Sequence, residues 1–235
     1  MYLNIKNCTL FCLVAALVIT LETQAQTTKA FFCTEPGTTF RYERYSGSGE
    51  EHWWTQTTKV NTVTPQEDGS LRVDFTTTVK AYDVKSPLKE PVSSYALVRE
   101  DGTVEVNMAE ATAIVAKQSY SAFNFKSSGG ISALPAKLNV GEPLEEIHAR
   151  VSWAMFAFTM DFTERSVLRQ ETITVPAGTF DCMVVRERKR EKAPFLKRER
   201  ITDTWYAQGY GLIRHDTYFT DGTQECSEQL CAIEN

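Results

Sequence analysis

Residues 173–222 constrain the fold more than any other stretch, because turn signals divide them into runs of strand-forming residues. Pro176 and Gly178 mark one turn, since proline fixes φ and glycine accepts positive φ. Gly209 and Gly211 interrupt the next apolar run at a position where a strand would bend or bulge. Between these turns, β-branched and aromatic residues suit a pleated, half-buried surface. The stretch therefore predicts successive antiparallel strands joined by short turns.

Similar patterns recur along the chain. Residues 71–84 alternate apolar and polar side chains, which indicates a strand with one buried face. The same alternation would place Trp53 and Trp54 on opposite faces of a sheet. Residues 108–118 contain good helix formers without glycine or proline and predict one short helix. With about ten strands at short spacing, the chain is expected to be all-β with a short helix and an antiparallel sheet.

The first 25 residues have the organisation of a secretory signal peptide. Lys6 precedes an apolar run at 8–21, and residues 23–25 fit a small-residue cleavage site. The run is too short to span a bilayer comfortably, and an uncleaved anchor or buried helix is the alternative. We therefore expect residues 1–25 to be removed and residues 26–235 to form a single domain without a transmembrane span. The exported protein would reside in the periplasm, at the outer membrane, on the cell surface or outside the cell.

Four cysteines follow the predicted signal peptide, and an even number in an exported chain suggests disulfides. Cys226 and Cys231 are close enough in sequence to pair across a turn, and Cys33 would then pair with Cys182. The alternative is that one or both pairs are free thiols that pack as small apolar side chains.

The sequence carries no recognisable motif for catalysis or cofactor binding. It lacks a G-x-S-x-G elbow, a phosphate loop with lysine and an H-E-x-x-H pair. His52, His148 and His215 are far apart in sequence, and each has an ordinary surface or hydrogen-bonding interpretation. We therefore expect no enzyme activity, no cofactor and no metal site, with a hydrolase as the weakest alternative. The net charge of −5 also argues against general nucleic-acid binding.

The clearest charge anomaly is residues 186–200, which hold eight Lys and Arg against three Glu in an acidic protein. This basic hairpin would suit phosphates of lipopolysaccharide, anionic lipid or an acidic protein partner. The alternative is a solvated hairpin whose cations prevent edge-to-edge pairing. The candidate partner-binding residues are Arg186, Arg188, Lys189, Arg190, Lys197 and Arg198.

Residues 147–162 are apolar on both faces if they form one strand. Such a strand lies at the centre of a sandwich or lines an internal cavity. Ordinary core packing is one interpretation, because aromatic side chains dominate most cores. The other is a cavity that binds an apolar ligand or lipid chain, for which the candidate lining residues are Trp153, Met155, Phe156, Phe158 and Trp205.

Several motifs occur in a characteristic order along the chain. They are Cys33-Thr-Glu-Pro-Gly37, Val140-Gly141-Glu-Pro-Leu144, Pro176-Ala-Gly178-Thr-Phe180-Asp-Cys182 and Trp205-Tyr206-Ala-Gln-Gly209-Tyr-Gly211-Leu212. In this order they resemble the TapB-like families of exported Gram-negative proteins, which are labelled domains of unknown function. The resemblance covers most of residues 26–235 and implies one strongly curved antiparallel sheet, a half-barrel similar to those of outer-membrane lipoprotein carriers. Such a sheet can wrap around a helix or an apolar ligand, and no catalytic residues carry over.

Two functions are compatible with these patterns. The first is a non-catalytic exported envelope protein that binds an apolar ligand or lipid chain on the concave face of the sheet. The second is an envelope scaffold or protein-interaction module that uses residues 186–200. The expected partner is a lipid or other apolar small molecule in the first case and another envelope protein in the second.

Overall fold

A computed structural model describes residues 29–82 and 88–235, and the predicted signal peptide at 1–25 lies outside these ranges. Across the described residues the chain forms thirteen strands and one helix, with every strand in a single antiparallel sheet. The all-β prediction with one short helix is confirmed, although the sheet has more strands than the sequence predicts. The elements are β1 (Thr39–Ser46), β2 (His52–Pro65), β3 (Leu71–Ala81), β4 (Val92–Val98), β5 (Val104–Asn107), α1 (Met108–Ser119), β6 (Lys126–Gly129), β7 (Ile131–Leu134), β8 (Ile147–Trp153), β9 (Phe156–Val175), β10 (Gly178–Ala193), β11 (Leu196–Ala207), β12 (Gly211–Tyr218) and β13 (Gln224–Glu234).

The sheet is nearly closed into a barrel, which corrects the half-barrel prediction. The strand order is β6-β8-β9-β10-β11-β12-β13-β1-β2-β3-β4-β5-β7, so β6 and β7 are its two edges. Only Gly130 separates these two strands in sequence, yet β6 pairs with β8 and β7 pairs with β5. Because one continuous segment pairs with both ends of the sheet, the two ends meet, and one unsealed seam remains between them.

Glycine is required where the chain crosses this seam. Gly130 has a φ of +78°, and a Cβ there would lie 2.7 Å from the Cβ of Ala149 and 2.9 Å from the Ala109 nitrogen. The Gly130 carbonyl accepts a 2.8 Å hydrogen bond from the N–H of Met108, at the start of α1. The crossing segment therefore lies in close backbone contact with both β8 and α1.

The turns predicted within residues 173–222 are present. Gly178, Gly209 and Gly211 all have positive φ, as the turn and bulge signals require. The N–H of Gly209 also donates a 2.7 Å hydrogen bond to the carbonyl of Ala30. The turn between β11 and β12 therefore positions the N-terminal segment, residues 29–38, as well as the two strands.

The main apolar core is formed by the N-terminal segment and the sheet, with a smaller cluster where α1 packs. Helix α1 begins at Asn107, whose side-chain oxygen accepts a 3.0 Å hydrogen bond from the N–H of Glu110. Buried members of the main core include Phe31, Phe40, Tyr42, Val73, Val184, Ile213 and Leu230, and those of the smaller cluster are Ala109, Ile147, Ala149, Met160 and Phe162.

Residues 147–162 do not form one strand, which corrects the prediction of a strand apolar on both faces. The chain turns at Ala154 and Met155, between β8 and β9. Ala154 has a φ of +48°, which is uncommon for a residue other than glycine, so no glycine or proline marks this turn in the sequence. Since β8 and β9 pair with each other, their apolar side chains share one face.

Because neighbouring strands alternate in direction, their connections fall at two ends of the barrel. We call the end that carries the turns at 47–51, 154–155, 194–195 and 219–223 the upper end, and the loop at 120–125 lies there too. The lower end carries the N-terminal segment and the turn between β11 and β12. Within residues 29–82 and 88–235, no helix has the length and apolar character needed to cross a membrane.

Candidate functional site: an apolar groove at the upper end

An apolar groove opens at the upper end of the barrel, between α1 and the ends of two hairpins. Its volume is about 620 Å³, within the roughly 300–1,000 Å³ that is usual for small-molecule sites. Every lining side chain except Thr112 is apolar or aromatic. The walls include Val115 and Ala116 of α1, Phe123 and Phe125 of the following loop, Trp153, Phe156 and Phe158 of β8 and β9, and Phe195 and Leu196 at the β10–β11 turn.

Strand register explains why these side chains converge. Trp153 is directly opposite Phe156 across the β8–β9 pair, and Val151 is opposite Phe158. Directly opposed residues of an antiparallel pair point to the same face, so all four side chains face the groove. The aromatic contacts continue into the loop after α1, where Phe125 lies 5.6 Å from Trp153 between ring centroids. The groove wall is therefore a continuous aromatic surface contributed by separate parts of the chain.

Three of the five predicted apolar residues meet in this groove, namely Trp153, Phe156 and Phe158. Met155 lies on the adjacent turn and is 88% exposed, outside the groove. Trp205 lies elsewhere in the sheet and is buried, with its indole N–H donating a 2.5 Å hydrogen bond to a Glu171 carboxylate oxygen. The structure therefore does not bring Met155 or Trp205 into the groove lining.

The basic hairpin forms β10 and β11, and strand alternation divides its cations between two faces. On the outer face, Arg186 pairs with Asp203 at 2.7 Å. Arg188 and Arg190 on that face pair with Glu199 at 2.8 and 3.5 Å. Arg188 also pairs with Glu164 at 2.9 Å, so each of these three guanidinium groups already has a carboxylate partner in the same sheet.

The inner face of the same hairpin carries Lys189 and Arg198. Both pair with Glu191, at 3.0 and 2.5 Å, and this carboxylate is buried. Lys197, by contrast, forms no ion pair with any residue in the described ranges. Less charge on the hairpin is thus available to a partner than its composition suggests.

A second cavity, of about 420 Å³, lies beside this inner face, and half of its lining residues are charged. Arg200 forms two hydrogen bonds with Glu225, at 2.7 and 2.9 Å. Arg44 pairs with buried Glu228 at 3.0 Å. The charged lining residues are Arg44, Lys189, Glu191, Arg198, Arg200 and Glu225. We call this space the charged cavity.

The charges in this cavity shift the titration of two groups. Burial alone would raise the pKa of Glu191, but Lys189 and Arg198 together bring its pKa below the usual value. Burial and the positive charges of Arg44 and Lys189 lower the pKa of His215 to about 3. His215 is therefore neutral near neutral pH, while Glu191 stays ionised.

None of the four cysteines in the described residues forms a disulfide, which corrects the predicted pairing. Cys226 and Cys231 lie on the single strand β13, not on either side of a turn. Five positions along a strand span roughly 16 Å, too far for a disulfide. Cys33 lies with the interior residues Tyr42 and Tyr206, whereas Cys182 lines a different cavity.

The three histidines have separate environments. His148 places Nδ1 3.0 Å from a carboxylate oxygen of Asp161 at the surface. His52 stacks between Tyr45 and Tyr82, with ring centroids 4.7 and 4.3 Å apart. In the part of the chain that the structure describes, no group of three or more His, Cys, Asp or Glu side chains is placed to hold a metal ion.

Two parts of the groove were missed by the sequence patterns. Helix α1 is confirmed, but its packing partner is not visible in its composition. The loop after α1 has little pattern, and its Phe123 and Phe125 line the groove. The close spacing of three aromatic residues, Tyr120, Phe123 and Phe125, in this short loop is the signal that could have indicated them.

Comparisons with known proteins agree with this fold. A protein from Bacteroides fragilis NCTC 9343 that is assigned as exported, with a YmcC-like fold, matches with a TM-score of 0.70 at 17% identity, over 88% of this chain and 100% of that chain. A protein from Parabacteroides distasonis ATCC 8503 that is assigned as a lipoprotein matches with a TM-score of 0.70 at 18% identity, over 88% of this chain and 99% of that chain. At these identities, the likeness shows the fold alone.

A comparison with curated proteins finds no match. The family model described as DUF3108-like matches residues 35–230, which is most of the chain. The predicted resemblance to a family of unknown function is confirmed as DUF3108-like, whereas the finer TapB-like assignment stays a prediction. The protein therefore belongs to the DUF3108-like family.

Proposed function

We propose that the protein binds an apolar ligand, with a lipid acyl chain as the ligand class, in the groove between α1 and the two hairpins. The main observation in support is that a space of about 620 Å³ remains open although its walls are apolar and aromatic. An ordinary core would collapse around such side chains, because water in contact with them is unfavourable. An open apolar groove is favoured where a ligand occupies it.

We further propose that the protein acts by binding and not by catalysis. The groove walls carry no carboxylate, imidazole, thiol or amine group. The similar structures from Bacteroides and Parabacteroides, assigned as an exported protein and a lipoprotein, support a location in the cell envelope. The alternative of an interaction module that uses residues 186–200 has less support, because all five of its arginines already pair with carboxylates.

Native mass spectrometry of freshly purified protein tests the proposal. We expect a bound mass that disappears after delipidation, and uptake of a fluorescent long-chain fatty acid by the delipidated protein. Ala116→Trp should block this uptake because it fills the groove from α1. Ile114→Trp is the matched control, since Ile114 lies on the same helix but does not line the groove. An unchanged mass on delipidation together with no fatty-acid uptake would contradict the proposal.

A further inference from the structure

Large apolar side chains are exposed around the mouth of the groove. Their exposed fractions are 103% for Phe195, 88% for Met155, 60% for Tyr120, 45% for Phe123 and 43% for Phe156. Single exposed apolar residues are ordinary, but several that surround one opening indicate an interaction surface. We call these five residues the apolar rim.

The apolar rim is built from three separate connections. Tyr120 and Phe123 lie in the loop after α1, Met155 and Phe156 at the β8–β9 turn, and Phe195 at the β10–β11 turn. All three connections reach the upper end of the barrel, and four of the five side chains also line the groove. Phe195 is fully exposed at its tip, so packing within the protein does not account for it.

The three segments that carry the apolar rim have charge of one sign. Residues 111–126, 147–160 and 192–198 contain no Asp or Glu, although the whole chain has 30. The exposed side chains of Lys117 and Lys126 flank the first of the three connections. These segments are therefore basic within an acidic protein.

The β10–β11 turn shows the same charge at closer range. Lys192 and Lys197 are directly opposite each other across this hairpin, on either side of the turn that carries Phe195. Like charges directly opposed across a strand pair are destabilising. Neither lysine forms an ion pair with a residue in the described ranges, so both ammonium groups remain available to an external anion.

We propose that the apolar rim docks on the surface of a bilayer that contains anionic lipid. Projecting aromatic and methionine side chains would enter the interfacial layer, and the surrounding lysines would contact lipid phosphates. The side chains project from three separate tips, and the charged residues of the three segments that carry them are all Lys or Arg, although Glu90 lies beside α1 at Gln118. This arrangement fits a fluid anionic surface better than the shaped and polar-paired surface of a protein partner. The groove would then open directly onto the membrane.

Sedimentation with lipid vesicles tests this inference, using the purified protein. We expect binding to vesicles that contain phosphatidylglycerol, weaker binding to phosphatidylcholine vesicles, and loss of binding as salt is raised. Met155→Ser should weaken partitioning roughly tenfold because it removes an inserted apolar side chain. Lys192→Glu with Lys197→Glu should abolish the preference for anionic lipid. Both changes are at exposed positions outside the groove, so folding and fatty-acid uptake should persist.

Val140→Ser is the matched control, because Val140 is 60% exposed and lies in the loop beside Val167, away from the rim. It should leave vesicle binding unchanged. Equal binding by wild type and the Met155 variant, or no binding of wild type to either vesicle, would overturn the inference. The inference goes beyond the proposed function and does not depend on it, since fatty-acid uptake without vesicles is measured separately. If the protein takes up fatty acid but does not bind vesicles, the docking inference is wrong and the proposed ligand binding is unaffected.

Discussion

Trp153 faces Phe156 across the β8–β9 turn, with their ring centroids 6.1 Å apart, and the pair forms one wall of the apolar groove. This relationship exists because the chain reverses at Ala154, which brings the two rings to the same face of the sheet. A straight strand through the same residues would place them on opposite faces. The groove thus depends on a turn that no glycine or proline marks in the sequence.

Replacing Trp153 tests the wall directly. Trp153→Ala removes apolar surface from the groove, so fatty-acid affinity should fall about tenfold. Thermal stability should change little, because the Trp153 side chain is only half-buried. Trp205→Ala is the matched control and should lower stability by about 3–5 kcal/mol, since Trp205 is buried in the main core. Fatty-acid titration and thermal melting measure the two effects, and a reversed pattern would contradict the assignment of the groove.

The bend at Gly211 should be essential for folding and not for binding as such. Gly211 has a φ of +94°, and a Cβ there would lie 3.4 Å from the carbonyl oxygen of Phe31. Gly211→Val therefore adds crowding to a backbone strain of about 1–2 kcal/mol. Gly222→Val is the control, because Gly222 also has positive φ but no atom within 4 Å of its Cβ position. Circular dichroism and melting should show a much larger loss for Gly211→Val, and equal losses would contradict the packing argument.

His215 should make stability depend on pH. Its folded-state pKa of about 3 lies below the unfolded value, which is about 6.5. The unfolded chain therefore binds a proton that the folded chain excludes, so stability should fall as pH drops from about 6.5 towards 3. His215→Gln should reduce this slope by the equivalent of about one bound proton. Denaturant titrations across this range provide the slope, and an unchanged slope in His215→Gln would count against the burial of a neutral ring.

Glu191 should stabilise the fold more than a surface carboxylate does. Glu191→Gln leaves Lys189 and Arg198 without their shared buried partner. Because Arg198 is partly exposed, we expect a loss of about 1–3 kcal/mol in the free energy of unfolding. Lys197→Gln, which removes a charge that has no ion-pair partner among the described residues, should change stability by less than about 0.5 kcal/mol. Comparable losses in the two variants would show that buried Glu191 contributes no more to stability than exposed Lys197 does.

Local turn chemistry made much of the sheet predictable. The glycines at 178, 209 and 211 signal backbone conformations that other residues avoid, and the structure has positive φ at each. Where the turn uses Ala154 instead, the signal is absent and two strands appear as one.

At Trp53 a register shift leaves an extra residue in β2, and both Trp53 and Trp54 line the charged cavity. The prediction that they lie on opposite faces is therefore wrong, because a bulge breaks the alternation.

Long-range features were not predictable from local patterns. Closure of the sheet depends on Gly130, where the chain leaves one sheet edge and joins the other. The predicted cysteine pairing is wrong because sequence spacing does not show whether a strand or a turn separates two residues. For the groove, the apolar content of residues 147–162 indicated the correct region. It gave no information on α1 or on Phe195, which approach from elsewhere in the chain.

A crystal structure of the protein with a brominated long-chain fatty acid tests the central claim most directly. The anomalous signal of bromine locates the chain without prior assumptions about its position. We predict a bromine peak inside the apolar groove, between Ala116 of α1 and Trp153 of β8. A peak at another site, or no peak from crystals that contain the fatty acid in excess, would contradict the claim that the groove holds an apolar ligand.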